Sequence, residues 1–176
     1  LDFLRWIKTN HADYEISIII DKEGPLLEEF RKYAFVYILH KNYNYKITRI
    51  NNFFARKYET SIFRKINSQK WSFIFSNTII NGKILEKINT SNIPVFSYVH
   101  ELENSIKFYH KRNRVAGTLE KPDFFFCGSE MVKLNLIENY KIKPENTEVV
   151  YSFKEITKKS VEKEVSVNLK SKYNIP

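Results

Sequence analysis

The chain has 176 residues, of which 43% are hydrophobic and 15% aromatic, enough for one domain with a substantial core and too apolar for a disordered tail. A single cysteine, Cys127, excludes an internal disulfide and points to a reducing, cytoplasmic compartment. The net charge of +9 raises nucleic acid or an anionic surface as a partner, while four glycines and no Gly-rich phosphate loop argue against a self-contained nucleotide site.

Residues 1–10 read as a helix, with Leu1, Leu4 and Ile7 on one face and Arg5 and Lys8 opposite; the interrupting charges exclude a signal peptide. Glu15–Asp21 is a β-branched run that predicts a strand buried on both faces. Gly24-Pro25 breaks it and starts a helix with Leu26, Leu27, Phe30 and Tyr33-Ala34 inward. Phe35–Leu39 predicts a short strand.

Lys41–Lys70 is the most basic segment. It holds eight Lys or Arg against one acid, Glu59, and so +7 of the chain's +9. Ile47, Ile50, Phe54, Tyr58, Ile62 and Ile66 keep a helical period. Arg49, Arg56, Lys57 and Arg64 recur at seven or eight residues along one stripe, beside Phe53 and Phe54. That pattern suits docking on an anionic membrane surface. The rival is a helix packed on a sheet with its charges in water.

Trp71–Glu101 predicts strand, helix, strand. An apolar run ends at Ser76-Asn77-Thr78, Ile84, Leu85 and Ile88 mark a helix, and Val95–Val99 ends abruptly at His100-Glu101. Both polar clusters sit at strand C-termini, where open α/β sheets form their ligand crevice. Leu102–Arg114 then predicts a helix with Ile106 and Tyr109 inward, and Arg114–Lys121 a loop. Asp123–Cys127 predicts a strand holding an inert, buried thiol. Ser129 is a good N-cap, with Glu130 in the first turn of a helix that buries Val132, Leu136, Ile137 and Tyr140. Pro144–Asn146 is a turn, Thr147–Tyr151 a last strand, and Val161–Tyr173 a solvated helix or linker. The fold class is α/β, with a largely parallel sheet and helices on both faces.

These residues also carry a resemblance. Ser76-Asn77-Thr78-x-x-Asn81-Gly82 after one strand and Val99-His100-Glu101-Leu102-Glu103-x-Ser105-Ile106 after the next resemble the N-terminal domain of family-4 glycosyltransferases of GT-B architecture. Leu4-Arg5-Trp6-Ile7, Gly24-Pro25-Leu26-Leu27, Cys127-Gly128-Ser129-Glu130 and Lys143-Pro144-Glu145-Asn146 extend the similarity over nearly the whole chain. The resemblance implies a Rossmann-like three-layer domain over residues 1–160. It implies residues 161–176 as a linker toward an absent C-terminal domain that binds the nucleotide-sugar donor. A first strand and a glycine-bearing turn precede the opening helix in the family, so the chain reads as a fragment or a truncated reading frame. It further implies sugar transfer to a glycan or lipid-linked acceptor in polysaccharide biosynthesis; the basic stripe of residues 41–70 adds peripheral docking at the inner face of the membrane. No cofactor is expected in this domain, which would not act alone.

The same resemblance sets His100, with Glu101, in the catalytic role of positioning and charge stabilisation rather than general base. The rival reading has them end a strand and start a helix. Asn77, Thr78, Asn81 and Gly82 become acceptor contacts; the rival is a plain cap and turn. Ser129 serves as a cap that also lines the cleft. Lys111, Arg112 and Arg114 become a clamp on a phosphate-bearing acceptor, against the rival of a solvated loop. His11, His40, His100 and His110 show no ligand spacing, so no metal is expected.

Two other classes stay open. One is a nucleic-acid-binding module, though no RRM, KH or helix-turn-helix signature occurs. The other is a non-catalytic carbohydrate- or membrane-docking module. The sugar donor, the acceptor, the anomeric outcome and self-association are not legible in the sequence.

Overall fold

The computed structural model describes residues 1–40, 49–111 and 114–151. Secondary structure runs α1 (Asp2–Asn10), β1 (Ser17–Lys22), α2 (Leu27–Arg31), β2 (Phe35–His40), α3 (Arg49–Asn67), β3 (Ile74–Ser76), α4 (Gly82–Lys87), β4 (Val95–Val99), α5 (Glu103–His110), α6 (Ala116–Glu120), β5 (Phe124–Cys127), α7 (Glu130–Tyr140) and β6 (Thr147–Val149). Short 3-10 turns at Ile79–Asn81 and Pro144–Asn146 precede α4 and β6. Every strand pairing among the described residues is parallel, and the chain is mixed α/β of Rossmann-like character. It divides into two compact units.

The first unit comprises residues 1–72 and 84–93. β1 and β2 form a two-stranded sheet joined through α2, in register from Ser17 on Phe35 to Lys22 on His40. β2 is the buried strand, with Tyr37, Ile38 and Leu39 inside. The expected two-faced burial of β1 is not met: Ser17–Ile20 are half-buried and the strand ends exposed. Among the described residues β1 has one neighbour, β2, and a strand paired on one side keeps an open edge however apolar it is. α3 covers β2 with Ile62, Phe63 and Ile66, and Lys65 lies 4.9 Å over the Phe35 ring. Asn67 ties α3 to the end of α4, its amide donating to the Lys87 carbonyl and accepting from Asn89 N–H. Two inward expectations fail here. Leu26 is half-exposed because α2 starts one residue later, and Phe54 is 61% exposed although it continues the row of Ile62 and Ile66 toward the start of α3.

The second unit comprises residues 73–83 and those from Pro94 onward. Its sheet has the order β3-β4-β5-β6, each strand beside the next in sequence. Right-handed crossovers in such an order put their helices on one face. The core bears this out: Val99, Phe125 and Cys127 of the sheet meet Ile79, Ile106, Val115, Val132 and Leu136. The period of two sends alternate side chains to the other face. There Phe96 and Phe126 stack with ring centroids 6.1 Å apart, and Phe75 and Phe124 extend the row at 6.4 and 5.3 Å from Phe126.

Two boundaries differ from expectation. The expected helix Leu102–Arg114 stops at His110, and the expected loop Arg114–Lys121 contains α6. Val115, Gly117 and Thr118 of that segment are buried. A five-residue helix holding a glycine has little intrinsic stability, so packing of Val115 in the core holds it rather than propensity. Residues 161–176, expected as a linker, lie outside the described residues. β1 and β3 belong to different sheets, and no ladder joins them among the described residues.

Candidate functional site

Parallel pairing brings the C-terminal ends of β3, β4 and β5 to one rim of the four-stranded sheet. Ser76 lies opposite Ser97, and Val99 opposite Cys127, so the residues that follow each strand emerge together. Thr78 caps the 3-10 turn after β3, its hydroxyl accepting from Ile80 N–H. Ser129 caps α7 after β5, accepting from Val132 N–H at 3.3 Å.

Glu101 organises this rim. Its carboxylate accepts from the Thr78 hydroxyl, from Ile79 N–H at 3.4 Å and from His100 N–H at 3.2 Å. The side chain is 12% exposed. Both oxygens are therefore engaged by internal donors, and one sits at the start of a short helical turn, where a negative group is favoured. The geometry makes Glu101 a positioning residue that ties the β3 turn to the end of β4. Its reach to Thr78 was not legible in the sequence, since 23 residues separate them. A carboxylate just past one strand and a Ser or Thr just past its neighbour is the signal that could have found it.

His100 faces outward. Its side chain is 54% exposed, and its Nε2 lies 3.7 Å from Glu101 Oε1, beyond hydrogen-bond distance but inside the range of a charge pair. The Tyr98 ring stands 5.9 Å away, and Tyr98 donates its hydroxyl to the Val150 carbonyl. Gly128 completes the enclosure. A Cβ there would lie 3.2 Å from His100 Cβ and 3.2 Å from the Tyr98 hydroxyl, so the absence of a side chain lets the β5 turn close against His100. An accessible imidazole held beside a carboxylate can carry positive charge toward a bound anion or polyol, or give and take a proton.

The remaining expected contacts divide. Asn77 is exposed next to the Thr78 cap. Asn81 turns back and donates its amide to Ser76 Oγ at 3.3 Å. Gly82 is buried, and its N–H donates to the Arg114 carbonyl at 2.9 Å. Close approach of the 114–115 backbone explains this glycine, so it packs the fold instead of touching a ligand. Arg114 is half-buried at that junction, and Arg112 lies outside the described residues. Lys111 is exposed and lines a separate cleft with Glu103, Lys107, His110, Asn139 and Tyr140. Their i, i+3, i+4 spacing from Lys107 to Lys111 was the overlooked signal.

On α3, Arg56, Lys57 and Arg64 are exposed, as is Phe54; the side chains of Arg49 and Phe53 lie outside the described residues. No helix among the described residues is long and apolar enough to cross a membrane. Among them, too, no three His, Cys, Asp or Glu side chains gather as a metal site would require. Cys127 is fully buried, and burial pushes its thiol up to about 11, which removes it from nucleophilic chemistry near neutrality. Comparison of the chain with protein-family models and with curated proteins gives no match.

Proposed function

We propose that this chain is the acceptor-side domain of a sugar-nucleotide-dependent glycosyltransferase. The observation that carries the reading is the rim itself: Thr78, His100, Glu101 and Gly128 meet at the C-terminal ends of adjacent parallel strands. The family-4 resemblance puts an acceptor contact at Thr78 and the catalytic groups at His100 and Glu101. In this reading His100 presents its outer edge to the acceptor glycan or to charge developing on the transferred sugar. Glu101 holds the imidazole and the Asn77-Thr78 turn in place. The donor belongs to another domain of the complete enzyme.

Saturation-transfer NMR on the chain tests this. A panel of oligosaccharides should show contact that His100→Ala and Asn77→Ala reduce, while uridine and guanosine diphosphates show none. Nucleotide diphosphate binding, or glycan contact that ignores both substitutions, would reject the assignment.

A second element of the reading is peripheral attachment. The exposure of Phe54 beside Arg56, Lys57 and Arg64 supports docking of α3 on an anionic bilayer, where each basic residue contributes on the order of 1 kcal/mol. Co-sedimentation should show binding to vesicles with anionic lipid and little to neutral ones. Phe54→Ser with Lys57→Gln should weaken it, and equal, negligible binding to both vesicle types removes the idea.

A further inference from the structure

The cleft that receives Lys111 is separate from the strand-end rim, since none of its six lining residues belongs to that rim. It has a volume of about 580 Å³ and opens between α5 and the end of α7. That size admits a molecule as large as a phosphorylated monosaccharide. Lys107 and His110 of α5 and Lys111 at its C-cap recur at i, i+3 and i+4, so three basic side chains enter from the same wall.

The charges there are unevenly matched. Lys107 Nζ pairs with Glu103 Oε1 at 2.8 Å, and this bond holds the Glu103 carboxyl below the usual carboxylate range. Among the described residues, neither His110 nor Lys111 has an acidic partner. Beneath them the Glu103 carboxylate is held further by the Tyr140 hydroxyl and by the amide of Asn135, a residue only 9% exposed. Asn135 Oδ1 meanwhile accepts from Asn139 Nδ2 at 2.8 Å, which leaves the Asn139 side-chain oxygen to accept. Burial, with the hydrogen bond to Glu103, pushes the Tyr140 phenol up to about 12, so it stays neutral and its oxygen is left to accept. One wall thus offers cations and the other neutral hydrogen-bonding groups over a fixed carboxylate.

We propose that this cleft binds a phosphate monoester of a hydroxylated compound, the phosphate on Lys111, His110 and Lys107 and a hydroxyl on Tyr140 and Asn139. Lysines and a histidine suit a dianionic phosphate as point charges, and a neutral amide and phenol suit a polyol. The same phosphate could reside on a soluble ester or on a lipid headgroup. The site stands whether or not the rim handles glycans.

Calorimetric titration of the chain with glycerol 3-phosphate, glycerol and inorganic phosphate tests it, beside flotation with phosphatidylcholine vesicles with and without phosphatidic acid. Glycerol 3-phosphate should saturate one site, and glycerol should not bind. His110→Gln with Lys111→Met, both exposed and so compatible with folding, should weaken the ester by roughly tenfold or more. Lys83→Met with Lys143→Met, exposed lysines outside the cleft, should leave it within about twofold. Tyr140→Phe should weaken glycerol 3-phosphate more than inorganic phosphate. Vesicle binding that needs phosphatidic acid and is lost in the His110/Lys111 variant, without binding of the soluble ester, assigns the phosphate to a lipid and keeps the site. Absence of saturation in every arm, or equal loss in both double variants, overturns it.

Discussion

Replacing Gly82 by alanine separates a packing role from a ligand role. An alanine Cβ would lie 2.7 Å from the Arg114 carbonyl oxygen and 3.0 Å from the carbonyl carbons of Arg114 and Val115. All three are backbone atoms, so no rotamer change relieves the overlap. The backbone of Gly82 is already helical, at φ −50° and ψ −47°, so the demand is for space and not for an unusual conformation. Relief requires moving a segment whose Val115 side chain is fully buried in the core. Over-packing of this kind costs on the order of 1–3 kcal/mol. Weakening the Gly82 N–H to Arg114 carbonyl bond adds about 1 kcal/mol. Better helix propensity of alanine returns up to about 1 kcal/mol. The net loss is then about 1–3 kcal/mol, and a chain of this length loses about 2–4 °C in Tm for each. Thermal melts by circular dichroism should therefore place Gly82→Ala about 2–12 °C below the parent. Gly24→Ala, where a Cβ meets nothing within 4 Å, serves as control and should melt with the parent. A Gly82→Ala chain that melts with the parent yet loses glycan contact would refute the packing argument and restore Gly82 to the acceptor site.

Three further outcomes are expected. Glu101→Ala strips the Thr78 hydroxyl and two backbone N–H groups of their shared acceptor, and should cost about 2 kcal/mol in urea unfolding, with Glu101→Gln recovering part. Ser129→Ala removes the α7 cap and should cost about 1 kcal/mol in the same assay, while amide exchange in the first turn of α7 rises. Cys127 should resist thiol reagents at pH 8 in the folded chain and react once urea unfolds it, because unfolding returns its pKa to roughly 8.5. Its folded pKa is raised, so its contribution to stability is complete below about pH 8.5 and is lost as pH rises toward about 11. A Cys127→Ala chain should lack that alkaline slope, which unfolding at pH 7 through 10.5 would measure.

The hydrophobic pattern alone determined the class and most elements of this protein. β2, β4 and β5, α1, α3 and α7 follow from local periodicity and from residues such as Ser129 that act on their immediate neighbours. Placement of His100 at a strand end was equally local, because Val95–Val99 must stop where its apolar run stops. Three other features depended on contacts distant in sequence. α6 exists through burial of Val115, Glu101 became a brace through Thr78, and Gly82 was required by the Arg114 backbone. Pairing was likewise beyond the pattern: β1 and β3 are apolar runs of the kind that fills a sheet, yet among the described residues each ends its own sheet with one neighbour. A strand's sequence states which faces it can bury, whereas its partners are decided by the whole chain, since backbone hydrogen bonds to a neighbouring strand are indifferent to side-chain identity.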